Sequence, residues 1–249
     1  MKSTGNTVLV SGGTSGIGLG LALRWHAAGN TVVVAGRRQD LLERIAAEHP
    51  GIATLQLDVT DPASIAAAAA TVAERHPQLD VLVAMSGIML PEDLRDPAHL
   101  AVAEATVQTN LLGTIRLTSA FLPQLLRQPA ATVMTVSSGL AFVPLPVTPT
   151  YNATKAAVHS WTESLRVQLA DTGVQVVELV PPAVRTALMG QQESAAAMPL
   201  EEFLDEVTAI LAADPDPREV LVERVRPLRT AEAAGHYDEL LGALSRWSA

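Results

Sequence analysis

Thr7-Val8-Leu9-Val10-Ser11-Gly12-Gly13-Thr14-Ser15-Gly16-Ile17-Gly18 decides the fold of this 249-residue chain. Its first five residues are a short apolar run, as in strands buried on both faces of a parallel sheet. A glycine-rich turn follows directly, and a helical pattern continues to Ala28. Strand, glycine turn and helix N-terminus in this order make an anion-binding arrangement. Backbone N–H groups and the helix dipole point to one place, and glycines let a diphosphate approach. The spacing is Gly12-x-x-x-Gly16-x-Gly18 rather than the commoner G-x-G-x-x-G. Glycine turns after strands are frequent, so the nucleotide reading depends on what surrounds this one.

The same alternation continues downstream. Apolar runs predict strands over residues 31–35, 53–57, 81–84, 131–137 and 175–180. Helical spacing predicts helices over 39–49, 63–75, 97–126 (in two pieces) and 151–170. Asp61 before Pro62 reads as an N-cap with proline at the first helical position. Strands separated by helices long enough to cross over predict an α/β fold: a Rossmann-type doubly wound parallel sheet of about seven strands with helices on both faces. Its two halves are expected to meet between the first and fourth strands. The tail predicts a helix over 200–213, a short strand over 219–223 and a terminal helix over 231–246. Residues 1–249 read as a single dinucleotide-binding and catalytic domain, with 187–249 forming its substrate-side and C-terminal segment.

Composition narrows the function. Hydrophobic residues make up 48% and aromatic ones 3%, so the core must be aliphatic. A net charge of −9 argues against general nucleic-acid or anionic-membrane binding. With no cysteine there is neither a disulfide nor a thiolate metal site. Neither a signal peptide nor an eighteen-residue apolar run is read, so a cytoplasmic location without membrane contact is expected.

Three further places carry chemistry. At the end of the second strand, where dinucleotide sites often place an acid for the ribose hydroxyls, stands Gly36-Arg37-Arg38. Guanidinium groups suit a 2′-phosphate, which favours NADP(H) over NAD(H). The alternative is two solvated arginines at a helix start. Asp58, after the third strand, has an adenine amino group or its own turn as a partner. Finally, Tyr151 and Lys155 stand four residues apart in a helix, with Ser138 thirteen residues upstream of the tyrosine. The chain has two tyrosines and two lysines, so the pairing is not drawn from a lysine-rich background. On one helix face, an ammonium beside a phenol lowers the phenol's pKa and makes a usable proton donor. Alone, the pair reads first as a surface Tyr and Lys on an amphipathic helix; the rest of the chain must overturn that.

Together these residues resemble the short-chain dehydrogenase/reductase family, in its branch of about 250 residues. The glycine loop is similar to T-G-x-x-x-G-x-G with Ser11 in the first position. Leu57-Asp58-Val59-Thr60 resembles the adenine-binding segment, and Thr109-Asn110-Leu111-Leu112-Gly113 carries the helix asparagine. Ser138 and Tyr151-x-x-x-Lys155 match the catalytic serine and Tyr-Lys pair. The stretches 151–189 and 198–229 look closest to the DltE-type oxidoreductases.

The resemblance implies a hydride transfer between NADP(H) and a ketone, aldehyde or secondary alcohol. Ser138 would hold the substrate oxygen and Tyr151 would act as general acid/base. Lys155 would tune Tyr151 and hold the ribose, and Asn110 would position a water linking Lys155 to solvent. Gly12, Thr14, Ser15, Gly16, Ile17 and Gly18 would hold the diphosphate, Arg37 and Arg38 the 2′-phosphate, and Asp58 and Val59 the adenine. Ser86 and Gly87 would border the ribose, and Pro181, Val184 and Thr186 the nicotinamide, alongside Asn110, Tyr151 and Lys155. A small-molecule substrate and a homodimer or homotetramer are the implied partners. A catalytically silent NADP(H)-binding sensor or scaffold of the same fold is the alternative.

Two stretches depart from the family pattern. Ala84-Met85-Ser86-Gly87 replaces Asn-Asn-Ala-Gly, removing amides that brace the strand edge; Ser86 is the available substitute. Pro181-Pro182 replaces Pro-Gly, and proline neither takes positive φ nor donates an N–H. Met89, Leu140, Phe142, Leu145, Pro182, Leu188 and Met189 are expected around the substrate. The six histidines, His159 among them, show no metal-ligand spacing and no nearby acid, so no metal site is expected.

Overall fold

Runs of Val, Leu and Ala form strands because such side chains fill both faces of a pleated ribbon. The computed structural model describes residues 1–246. In it, β1 (Thr7–Ser11), β2 (Thr31–Gly36), β3 (Ala53–Gln56), β4 (Val81–Ala84), β5 (Ala131–Val136), β6 (Val174–Leu179) and β7 (Glu219–Val220) make one parallel sheet. The order is β3-β2-β1-β4-β5-β6-β7. It reverses between β1 and β4, as expected, and the crevice at such a switch point is where ligands bind in this architecture.

The helices are α1 (Gly16–Ala27), α2 (Gln39–Glu48), α3 (Pro62–Arg75), α4 (His99–Thr106), α5 (Gly113–Leu125), α6 (Pro149–Gln168), α7 (Leu200–Ala213), α8 (Arg226–Arg229) and α9 (Tyr237–Leu244). Strand alternation sorts the core into two layers. Val8, Val10, Val83, Val136 and Leu179 pack with Leu21 and Trp25 of α1 and Phe203 of α7. Leu9, Leu82, Val133, Val174 and Val176 pack with Ile65 of α3, Phe121 of α5 and Leu165 of α6. Glu178, two residues beyond Val176, therefore points toward α6.

Several boundaries differ from expectation. The 97–126 region begins at His99, and a π-helical stretch, Val107–Leu112, joins α4 to α5; a 3.6-residue period does not reveal it. α6 starts at Pro149, two residues early, because a distant carboxylate caps it. Glu92 accepts from Thr150 N at 3.0 Å and from Thr150 Oγ1 at 2.7 Å. The expected terminal helix shrinks to Tyr237–Leu244, since Gly235 breaks the spiral at φ 74°. β7 keeps two residues before a 3₁₀ turn at Glu223–Val225. Asp61 caps α3 as expected, accepting from Ala63 N at 2.8 Å. Among the described residues, no helix is long and apolar enough to cross a membrane.

Candidate active site

The glycine turn is pressed against the chain leaving β4. Gly12 sits at φ 70°, and a Cβ there would lie 2.9 Å from Ser86 Cα. Only glycine meets both conditions. The fully buried Ser11 hydroxyl accepts from Met85 N at 3.1 Å and Ser86 N at 3.3 Å. The missing strand-edge amides are thus offset by the end of β1, rather than by the Ser86 side chain.

At the end of β2, a Cβ on Gly36 would lie 2.7 Å from Thr14 Cγ2, so a side chain there would have to displace Thr14. Arg38 fills the space nearest the loop. Its Nη2 donates to Thr14 Oγ1 at 3.0 Å and Ser15 Oγ at 3.1 Å. Arg37 instead lies toward Asp58. Burial pushes the Asp58 pKa up, but hydrogen bonds from Thr60 and the Arg37 charge outweigh it and hold the carboxyl below its ordinary value. Asp58 Oδ1 accepts from Thr60 N at 2.9 Å and Thr60 Oγ1 at 2.7 Å, which caps the turn. Val59 is buried against α5, where a Cβ on Gly113 would meet its Cγ2 at 2.8 Å.

α6 places Tyr151 and Lys155 one turn apart, and both are buried. Lys155 Nζ lies 5.6 Å from the centre of the Tyr151 ring and donates to Val136 O at 2.7 Å. Burial pushes the Tyr151 phenol up to about 12, with the Ser138 hydroxyl pulling the other way. Burial lowers Lys155 to about 8, opposed by the charge of Glu178. The expectation of a depressed phenol is therefore corrected: desolvation outweighs an ammonium that is itself desolvated and turned to a carbonyl. Ser138, also buried, accepts from Leu140 N at 3.1 Å, which fixes its oxygen at the mouth of the following turn.

Asn110 sits in the π-helical stretch. Its Oδ1 accepts from Ile88 N at 2.8 Å and its Nδ2 donates to Ile88 O at 2.9 Å. The side chain thus clamps the loop after β4, which fixes Asn110 across from Lys155.

A cavity of about 530 Å³ joins these parts. Gly12, Ser15, Gly16, Ile17 and Gly18 form one end, and Ser138, Tyr151 and Lys155 a side wall. Gly87, Pro181, Val184 and Thr186 lie between them. Met89, Leu140, Leu145, Pro182 and Leu188 line it as expected. Met189 packs against the Met89–Leu145–Tyr151 cluster from behind, at φ 54°. Phe142 does not line the cavity: its ring meets His159 edge-on at 4.8 Å, with Arg229 over the other side at 4.6 Å. Leu228 and Leu244 complete the wall from the tail; sequence reading missed them because nothing local marks them. Ser137 Oγ, at the same wall, is buried with no hydrogen-bond partner among the described residues. A glycine turn at a helix N-terminus, with an arginine over it, fits the diphosphate of a dinucleotide. A second cavity, about 600 Å³, lies at the opposite edge of the sheet by Met1, Asp80 and Gln175, and holds none of these groups.

His159 is not isolated from acids. Its Nδ1 lies 2.9 and 3.0 Å from the two oxygens of Glu178, which is fully buried. Glu219 stands close enough for the three to present ligand atoms within 4.8 Å of one another. Arg229 Nε already donates to Glu219 Oε1 at 2.7 Å, so a guanidinium supplies the positive charge there.

The short chain dehydrogenase family model matches residues 6–197. The uncharacterized oxidoreductase DltE of Bacillus subtilis (strain 168) is 38% identical over 244 residues, 96% of each chain. A short chain dehydrogenase from Burkholderia cenocepacia J2315, in complex with NADP, superposes with a TM-score of 0.84 at 24% identity, covering 100% of both chains. An alcohol dehydrogenase from the archaeon Thermococcus sibiricus, complexed with 5-hydroxy-NADP, superposes with a TM-score of 0.77 at 25% identity, covering 87% of this chain and 95% of that one.

Proposed function

The chain belongs to the short-chain dehydrogenase family, and on that premise we propose that it is an NADP(H)-dependent oxidoreductase acting on a ketone, aldehyde or secondary alcohol. The observation that carries the reading is the shared cavity: Ser138, Tyr151 and Lys155 wall the same space as the glycine turn. The NADP-complexed structural relatives support a phosphorylated cofactor, as does Arg38 over Thr14 and Ser15. Bound there, NADP(H) supplies or accepts the hydride.

The residues do the rest. Arg38 holds the 2′-phosphate, with the Arg37 charge toward Asp58, and Gly12 and Gly16 let the diphosphate reach backbone N–H groups. Ser138 donates to the substrate oxygen, and Tyr151 gives that oxygen its proton. A phenol at about 12 is fully protonated at neutral pH, so the acid is always loaded for reduction. Lys155, at about 8, is mostly ammonium at pH 7 and offsets the charge that Tyr151 acquires on giving up the proton. Alcohol oxidation needs the phenolate, roughly one molecule in 10⁵ at pH 7, so oxidation is expected to speed up as pH rises. Met89, Leu140 and Leu145 favour an apolar substituent beside the carbonyl.

A panel of ketones and aldehydes, assayed with NADPH and NADH in parallel, tests the proposal. Oxidation of NADPH by at least one carbonyl compound, and slower oxidation of NADH, is the expected result. Tight NADPH binding with no turnover in either direction would leave the catalytically silent sensor or scaffold in its place.

A further inference from the structure

Tyr151, Lys155 and His159 recur at four-residue steps, so they form one stripe along the buried face of α6. Tyr151 and Lys155 have assigned work; His159 has none. Beneath the stripe lies Glu178 of β6, with no exposed surface, in contact with His159 through both carboxylate oxygens. A fully buried carboxylate is costly unless paired, and His159 pairs it. Lys155, one helical turn away on the same face, is bonded to Val136 O; the register partner of Val136, Leu179, adjoins Glu178.

The other charged groups around the stripe are accounted for. From β7, Glu219 faces His159 and is held by Arg229 of α8. Arg229 also covers Phe142, whose ring edge packs on the imidazole. Glu163, further along α6, is engaged by Arg166 and Arg218. Lys155 itself meets Val136 O, with Gly87 and the Asn110 amide across from it. His159 keeps 24% of its side chain exposed, so protons from solvent reach it.

We propose that Glu178 and His159 are positioning residues that set the charge of Lys155: the carboxylate keeps the ammonium protonated, and the imidazole governs how much of that negative charge Lys155 feels. A protonated His159 satisfies Glu178 and weakens its hold on Lys155; a neutral His159 leaves more of the charge to Lys155. The directions agree. Hydrogen bonding to Glu178 raises the His159 pKa, and the same carboxylate raises that of Lys155 against its burial. The inference rests on the proposed role of Lys155 for its catalytic meaning, but its test needs no turnover.

The chain contains two lysines, Lys2 and Lys155, so protein labelled with ¹³Cε-lysine gives two side-chain signals. A Lys2→Arg variant assigns them. The Lys155 midpoint is followed by NMR against pH in the wild type, Glu178→Gln and His159→Gln. Glu178→Gln is expected to lower the midpoint by about one pH unit, and His159→Gln to raise it. The opposite signs separate a charge effect from general loosening, which would move both variants the same way. An unchanged midpoint in Glu178→Gln, or shifts of one sign in both, overturns the proposal. Should Glu178→Gln fail to fold, His159→Gln decides alone: a raised midpoint supports the proposal, and a lowered or unchanged one overturns it. A failure here with activity intact refutes this inference and leaves the oxidoreductase reading standing.

Discussion

Replacing Lys155 with methionine should make the protein more stable at pH 7 while removing its catalytic charge. Burial lowers this ammonium from 10.5 to about 8. At about 1.4 kcal/mol per pKa unit, holding it charged in the folded chain costs about 3 kcal/mol. Methionine fills the space of the stem without the charge. The variant loses the bond from Nζ to Val136 O, which takes back about 1–2 kcal/mol. A net gain of about 1–2 kcal/mol remains, or roughly 2–8 °C in Tm for a chain of this size. The pH dependence follows from the sign of the shift. The folded-state pKa lies below the unfolded one, so between about 8 and 10.5 the unfolded chain holds more protons, and wild-type stability rises with pH. The advantage of Lys155→Met is therefore whole below pH 8 and fades toward pH 10.5. Urea denaturation at pH 7 and pH 10, without added nucleotide, measures both quantities. A variant less stable than wild type at pH 7, or a difference that does not shrink by pH 10, would refute the reasoning.

Three other substitutions test the neighbouring parts. Arg38→Ala should weaken NADPH binding about 10- to 100-fold while changing NADH little; equal losses in a fluorescence titration would remove the 2′-phosphate assignment. Ser11→Ala leaves two backbone N–H groups near β4 without their acceptor and should cost about 1–3 kcal/mol in urea denaturation; an unchanged midpoint would place the brace elsewhere. Gly12→Ala forces a Cβ against Ser86 at φ 70° and should cost about 1–3 kcal/mol together with nucleotide binding, read by calorimetry; normal binding would show that the turn is not the diphosphate site.

The strands and their parallel order were legible because each is a local apolar run, and their separation by crossover helices leaves few topologies. The glycine turn and the Tyr151–Lys155 pair were legible for the same reason: their geometry is set within a few residues. What escaped is what depends on distant partners. Glu92 caps α6 across 58 positions of sequence, so α6 starts earlier than its own pattern indicates. Glu178 meets His159 only because strand alternation on β6 and helical spacing on α6 coincide. A search for an acid in phase with the Tyr151–Lys155–His159 stripe would have found it. Phe142 looked like a pocket residue from its loop, yet packs between an imidazole and a guanidinium. The phenol's acidity was misjudged because spacing reports the neighbouring cation but not the burial that outweighs it.

The most direct test of the account is Tyr151→Phe, measured with whichever carbonyl compound the wild type reduces fastest. The phenyl ring keeps the packing with Met89 and Leu145 and loses only the hydroxyl. If Tyr151 is the proton donor, kcat should fall by at least about 100-fold, while NADPH affinity stays within a few-fold of wild type. Turnover within a few-fold of wild type, with NADPH bound normally, would contradict it.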